Sequence, residues 1–185
     1  MLIIKAADFA ARKHRCQRRK DVHETPYINH PISVARLLAD VGGVTDEDIL
    51  AAALLHDTIE DTKTKADEIE QEFGSRIRKL VQEVSDDKEI EKAERKRRQV
   101  EHAKELSPDA VLVKLADKIC NVQDVIHNPP QKWSLDDRQE YLDWSERVVR
   151  NCPEVPEGLL KKFEDTLVEG RELFDLESED ETPGA

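Results

Sequence analysis

Apolar residues recur at helical spacing through nearly the whole chain. Ile3, Ala6, Ala7, Ala10 and Ala11 share one face and predict a first helix over residues 2–16. Pro31 reads as the first residue of a second helix carrying Ile32, Ala35, Leu37 and Leu38, with His30 at its entry, and Gly42-Gly43 stops it. Thr45, with Asp48 three residues on, resembles a capping box and predicts a third helix from Ile49 to about Glu60. Thr64 is placed to cap a short fourth helix ending at Phe73-Gly74, and Ile77, Leu80, Val81 and Val84 mark a fifth. Ser107-Pro108 combines a cap with a first-turn proline and opens a long helix to about Ile126. Asn128-Pro129-Pro130 breaks the chain, and helices near 135–151 and 157–176 complete it. No stretch alternates apolar and polar residues for long enough to make a strand. The pattern predicts an all-α single domain of about eight to ten helices over residues 1–176, followed by an acidic, disordered tail at 177–185.

Composition narrows the function classes. Acidic residues number 41 against 29 basic ones, a net charge of −12, which excludes a generally basic nucleic-acid binder. No apolar run approaches the roughly 20 residues of a membrane span, and no signal-type leader opens the sequence, so no membrane partner is expected. Cys16, Cys120 and Cys152 are widely spaced and form no Cys-x-x-Cys pair, which predicts neither a disulfide framework nor a cysteine zinc site and points to the cytoplasm. The basic stretch Glu94-Arg95-Lys96-Arg97-Arg98 is interleaved with acids, with Glu91–Arg95 and Glu94–Arg98 at i,i+4, and reads as a solvated helix. Trp133 and Trp144 are expected as core or interface anchors, and Cys120 as a packing residue.

Three polar features interrupt the core pattern. In the third helix an apolar stretch, Ala51 to Leu55, runs directly into His56-Asp57 and then Glu60-Asp61. In one continuous helix His56 and Glu60 would share a face, as would Asp57 and Asp61. Three carboxylates at a helix C-terminus oppose the macrodipole and one another, so a cation is called for; the alternative is a solvated helix end. In the long helix Lys114, Asp117 and Asn121 form one polar stripe within Val111 to Val122, where a buried carboxylate needs a partner and an internal Lys114–Asp117 pair is the simplest one. His30, ahead of Pro31, sits at a helix mouth from which it can face a central site. His30, His56, Asp57 and Asp117 together make a mixed nitrogen and oxygen donor set suited to manganese, iron or zinc.

These residues carry a resemblance. The ordered set Ala7-Asp8-Phe9-Ala10-Ala11-Arg12-Lys13-His14, Arg18-Arg19-Lys20, Pro26-Tyr27-Ile28-Asn29-His30-Pro31, Leu54 to Thr62, Phe73-Gly74 and Lys114 to Lys118 resembles the HD phosphohydrolase superfamily. Within it, the set resembles the hydrolase domain of RelA/SpoT homologues, and most of all the stand-alone small alarmone hydrolases of the metazoan SpoT homologue type. The likeness covers roughly residues 5–150. It implies an all-helical HD domain that uses Mn²⁺, with Zn²⁺ or Fe²⁺ not excluded, to remove the 3′-pyrophosphate of (p)ppGpp, giving GDP or GTP and pyrophosphate. With no room for a synthetase domain in the chain as read, hydrolysis alone is implied. At matching positions the resemblance makes His30, His56, Asp57 and Asp117 the metal ligands and Glu60 and Asp61 the acids that activate water. It makes Arg19 and Lys20 the phosphate-holding pair, and Asn121, Lys92 and Tyr141 nucleotide contacts. The sequence departs from the pattern at Asp21-Val22-His23-Glu24-Thr25, where many relatives carry a glycine ahead of the proline-tyrosine, which bears on the shape of the loop holding Arg19 and Lys20.

The same centre would serve a phosphatase for NADPH or another phosphorylated nucleotide, and a non-catalytic alarmone-binding module or a helical scaffold are rivals of other classes. The intact Glu60-Asp61 pair weighs against a pure binder. The sequence assigns no oligomeric state.

Overall fold

The computed structural model describes residues 1–180, and every regular element among them is helical. The α-helices are α1 Leu2–Lys13, α2 Asn29–Asp40, α3 Glu47–Leu55, α4 Thr58–Asp61, α5 Ala66–Phe73, α6 Ser75–Val84, α7 Lys92–His102, α8 Pro108–His127, α9 Leu135–Arg150 and α10 Glu157–Asp180, with a 3₁₀ turn at Ala103–Glu105 after α7. No helix is long and apolar enough to cross a membrane, among the described residues.

Two helices organise the rest. α3 has no polar face: Ile49 and Ala51 to Leu55 are all buried, so it can be stable only inside the bundle. It packs on α1, α2 and α6 and touches α8, with Ala51, Ala52 and Ala53 allowing close approach. α8 is the second axis, lying against α2, α6, α9 and α10. Phe163 and Phe174 of α10 are fully buried, each worth about 1.5–3 kcal/mol in transfer from water. Gly170 lies mid-helix in α10 because a Cβ there would stand 2.7 Å from Ile126 Cδ1 and 2.9 Å from Leu142 Cδ2, where α10 crosses α8 and α9.

The Ser107 start agrees with the expectation, Ser107 accepting from the Ala110 N–H, and the helix expected near 135–151 opens on a full capping box of Ser134 with Asp137. Several expectations need correction. α1 ends at Lys13, since His14 already turns the chain toward the basic loop. Asp46, not Thr45, caps α3, its carboxylate accepting from Asp48 N. Thr64 is buried and bonded to Thr62, while Lys65 holds the N-cap position of α5. α2 begins at Asn29, so His30 lies inside its first turn and Pro31 two residues beyond the start; first-turn N–H groups have no helical partner, so proline costs nothing there. Ile32 is on the exposed side of α2, and Val34 faces the core instead. α10 continues through residues 177–180, and Glu177 pairs with Arg138 there, so the expected tail is helical as far as Asp180. Residues 181–185 of that tail lie outside the described residues.

The largest departure lies at the site. The expected third helix is broken at His56-Asp57 into α3 and the single turn α4. Side chains displace the backbone ladder: His56 Nδ1 lies 2.7 Å from the Ala53 carbonyl, and the Thr58 hydroxyl donates to the Leu55 carbonyl at 2.6 Å.

Candidate metal centre and nucleotide cleft

The break in α3 brings four side chains from three elements together. His30 comes from α2, His56 and Asp57 from the α3–α4 junction, and Asp117 from the middle of α8. His30 Nε2 lies 3.1 Å from Asp117 Oδ1 and 3.8 Å from Asp57 Oδ2. His56 Nε2 lies 3.0 Å from Asp57 Oδ2 and 3.5 Å from Asp117 Oδ1. Donor atoms of His30, His56 and Asp117 all fall within 4.8 Å of one another. Both imidazoles are buried, at 4% and 5% exposure, so neither is a surface histidine.

The chemistry of this set fits a divalent cation. A carbonyl only accepts, so His56 Nδ1 carries its hydrogen, and in the neutral ring Nε2 is a bare lone pair. That lone pair faces two carboxylates and has no well-aligned hydrogen-bond partner of its own. Such a meeting is repulsive unless a proton or a cation lies between. Without one the groups compensate by charge. Burial works against a charged His56, but the Asp57 carboxylate outweighs it and holds the imidazole well above its usual range. Burial likewise would raise Asp57 and Asp117, yet His56 holds Asp57 below the ordinary carboxylate range, and His30 with His56 does the same for Asp117. The backbone carbonyl behind His56 and the Tyr27 hydroxyl behind Asp57, donating at 2.6 Å, orient these two side chains.

The cluster forms the floor of a cleft with two adjoining lobes of about 220 and 370 Å³. His56, Asp57, Asp117, Lys92 and Lys118 line the inner lobe, and Arg19 and Lys20 the outer one. Glu60, Asp61, Asn121 and Tyr141 line both. Glu60 and Asp61 follow from α4. Glu60 Oε2 accepts from the Asp86 N–H at 3.0 Å, and burial first, then Asp86 and Asp57, raises its carboxyl. Asp61 Oδ2 accepts from Gln17 Nε2 at 2.7 Å, and its other oxygen pairs with Lys88.

The basic loop is pinned at its base by an antiparallel bridge between Arg18 and Pro26 and by Arg19 N donating to Thr25 O at 2.8 Å. Arg19 thereby reaches α8, where it bonds Asn121 Oδ1 at 2.9 Å and pairs with Asp124. Asn121 donates to Asp117 Oδ1 at 2.6 Å. Lys20 and Lys92 are exposed at the rim. Every site residue named from the sequence except His30 lines these two lobes; His30, almost fully buried, meets the cluster from α2 and borders a neighbouring pocket beside Cys120. The expected Lys114–Asp117 pair is replaced, since Lys114 Nζ donates to the Val84 carbonyl at 2.8 Å. Glu94 and Arg98 do pair, whereas Glu91 caps α7 instead of holding Arg95. Trp133 and Trp144 line the inner lobe and flank Tyr141 at 5.4 and 5.3 Å between ring centroids, so both anchors also form its aromatic wall.

Sequence reasoning missed Tyr27, Gln17, Lys88, Asp86 and Lys118 as parts of the site. Only Lys118 carried a local signal, a lysine in the otherwise apolar run after Asp117. Cys120 is buried as expected, and burial pushes its thiol up to about 12, so it is inert.

A helical bundle with two histidines and two aspartates at its centre is the arrangement of an HD domain, and the family model of that description matches residues 6–142: the chain belongs to the HD-domain family. Within it, the chain is 53% identical over 165 residues to guanosine-3′,5′-bis(diphosphate) 3′-pyrophosphohydrolase MESH1 of Homo sapiens, covering 89% of this chain and 90% of that protein. The Mus musculus protein of the same name is 53% identical over 173 residues, covering 94% and 93%. A solved metazoan ortholog of SpoT, which hydrolyzes ppGpp and plays a role in starvation responses, matches with a TM-score of 0.89 at 43% identity over 93% of this chain and 96% of that one. An HD domain implies a divalent metal, which agrees with the donor set of His30, His56 and Asp117.

Proposed function

We propose that the chain is a divalent-metal-dependent 3′-pyrophosphohydrolase of guanosine 3′,5′-bis(diphosphate) and its triphosphate analogue, leaving GDP or GTP and pyrophosphate. The observation that carries this reading is the meeting of His30, His56, Asp57 and Asp117 with Glu60 and Asp61 one turn beyond, at the floor of a cleft rimmed by Arg19, Lys20 and Lys92. Relatives covering nine-tenths of the chain bear the name of that activity.

His30, His56, Asp57 and Asp117 would hold the ion, which we assign as Mn²⁺; when bound it neutralises phosphoryl charge and makes water a nucleophile near neutral pH. Glu60, whose carboxyl is raised by burial and by the charges of Asp86 and Asp57, accepts the proton of the attacking water. Asp61, tethered on both oxygens, holds that water in line. The water oxygen ends on the pyrophosphate, the bond from the 3′-oxygen to phosphorus breaks, and the 3′-oxygen leaves as the ribose hydroxyl, taking up a proton equivalent to the one Glu60 accepted and then releases. Arg19 presents a planar fork to phosphate oxygens, and Lys20 and Lys92 add point charges at the rim. Asn121 and Tyr141 contact the nucleoside. On a chain of net charge −12 this local basic rim draws in a small polyanion while the remaining surface repels nucleic acid.

Incubation with Mn²⁺ and ppGpp, with NADPH in parallel, tests the reading. Pyrophosphate and GDP are expected from the first and little phosphate from the second. Nucleotide binding without turnover, or preferential release of phosphate from NADPH, overturns it. Asp57→Ala is expected to lose metal and activity together.

A further inference from the structure

Asp61 is not free to move. Its Oδ2 accepts from Gln17 Nε2 at 2.7 Å. The other end of the same amide, Gln17 Oε1, lies 2.8 Å from His14 Nδ1. An amide that donates through its nitrogen must accept through its oxygen, so His14 Nδ1 carries the hydrogen and the direction of the whole chain is fixed: His14 to Gln17 to Asp61. His14 is 2% exposed, and burial lowers its basicity, which keeps the ring neutral. Its ring stacks on Tyr27 with centroids 4.8 Å apart, and Tyr27 in turn donates to Asp57 Oδ2 at 2.6 Å. Gln17 itself is tied by backbone on both sides, its N–H to His14 O at 2.8 Å and its carbonyl to Tyr27 N at 3.2 Å.

One stacked pair of rings therefore supports two arms. One arm ends on Asp57 and the other on Asp61. Nothing in the metal chemistry demands a glutamine at the turn after α1, and a glutamine placed only for loop packing has no reason to aim its amide nitrogen at a cleft carboxylate.

We infer that Gln17, held by His14, is a positioning residue for hydrolysis: it fixes the rotation of the Asp61 carboxylate so that Asp61 stands in the right place relative to Asp57. This rests on the role given to Asp61 under the proposed function. A carboxylate bound at one oxygen by a neutral donor keeps the other oxygen for the cleft, where Lys88 meets it. Loss of the Gln17 amide lets the carboxylate rotate about χ2, which damages orientation while leaving in place every group assigned above to metal or substrate.

The test is a double-mutant cycle on the full chain with Gln17→Leu, Asp61→Asn and the pair together, with Mn²⁺ titration and thermal melting on each. Gln17→Leu is expected to lower kcat by about 10- to 100-fold, the range seen when the partners orienting a site group are removed, with KM and Mn²⁺ affinity within about twofold of wild type. Added to Asp61→Asn, the same change is expected to cost less than about threefold, because the residue through which it acts is already disabled. An equal loss in both backgrounds, or a fall in metal affinity and melting temperature that accounts for the lost activity, overturns the inference. So does a crystal structure of Gln17→Leu with the Asp61 carboxylate unrotated, a readout that stands even without turnover. Failure of wild type to hydrolyse ppGpp sinks the proposed function instead, and is distinguished by its appearance in the parent protein.

Discussion

Tyr27 donates its hydroxyl to Asp57 Oδ2 across 2.6 Å, and so couples the basic loop to the metal centre from thirty residues away in sequence. Burial and the nearby Asp57 carboxylate both push the phenol up, so it remains a neutral donor at any ordinary pH. Tyr27→Phe keeps the ring stacked on His14 and removes only the donor. Mn²⁺ affinity is expected to fall about 10- to 100-fold, measured by calorimetric titration. Melting of the metal-free protein should change by no more than about 1 kcal/mol equivalent. Unaltered affinity would show that Asp57 is oriented without Tyr27.

Glu24 has φ of 48°, in the left-handed region that residues with a Cβ avoid. It lies in the turn ahead of Pro26-Tyr27, and this conformation has a backbone cost. Asp21 offsets part of it by accepting from the Thr25 N–H at 3.0 Å and from the Thr25 hydroxyl at 2.6 Å, which holds the turn closed. Glu24→Gly removes strain of about 1–2 kcal/mol but adds freedom to the unfolded chain, leaving an expected gain of about 0.5–1 kcal/mol in urea unfolding. A loss of stability would mean that the Glu24 side chain contributes something the turn geometry does not reveal.

The long helices were legible because their signals are local. Ser107-Pro108 names a helix start within two residues, and the structure opens α8 there. The polar residues inside the apolar helices named the centre, because a carboxylate among core side chains has to be answered by something. What stayed hidden depends on competition or on distance. The break after Leu55 is decided by whether His56 and Thr58 take carbonyls that the backbone would otherwise use, and residue type alone does not settle that contest. Tyr27, Gln17, Lys88 and Asp86 come from loops whose paths are set by tertiary packing, so no spacing rule places them beside Asp57, Glu60 or Asp61. Arg19, Lys20, Lys92 and Tyr141 were reached through the family resemblance and not through periodicity.

Lys118 is 3% exposed and stands 4.0 Å over the Trp144 ring. Burial lowers its ammonium to about 8, and the attraction of Asp117 only partly offsets this. The unfolded chain holds that proton up to the ordinary lysine value of 10.5, so between about 8 and 10.5 it binds more protons than the folded protein and stability rises with pH across that window. Below it the full burial cost is present. Lys118→Met removes this cost but also one partner of the contact with Asp117 Oδ2 at 3.9 Å, so its signature is the pH dependence: the variant is expected to lose the rise in stability between about 8 and 10.5. Urea unfolding in chelator at both ends of the range measures it, and an equal difference at the two pH values would assign the effect to packing.

Glu60 and Asp86 are both carboxylates, yet the contact between them is a hydrogen bond from the Asp86 backbone N–H to Glu60 Oε2 at 3.0 Å. The Asp86 side chain adds a like charge nearby, and after burial it is the largest reason why the Glu60 carboxyl is raised. If Glu60 takes the proton of the attacking water it must be ionised, so kcat should fall as pH drops through its pKa, and that limb should lie above the ordinary glutamate range. Asp86→Asn keeps the backbone donor and removes the charge. Its acid limb is expected to move to lower pH, with a modest loss of kcat at neutral pH because the base is weaker. Glu60→Gln is expected to abolish the limb and lower kcat by about 10²- to 10⁴-fold while retaining Mn²⁺. An acid limb that stays in place in Asp86→Asn would assign the titration to another group and remove Glu60 from the role of base.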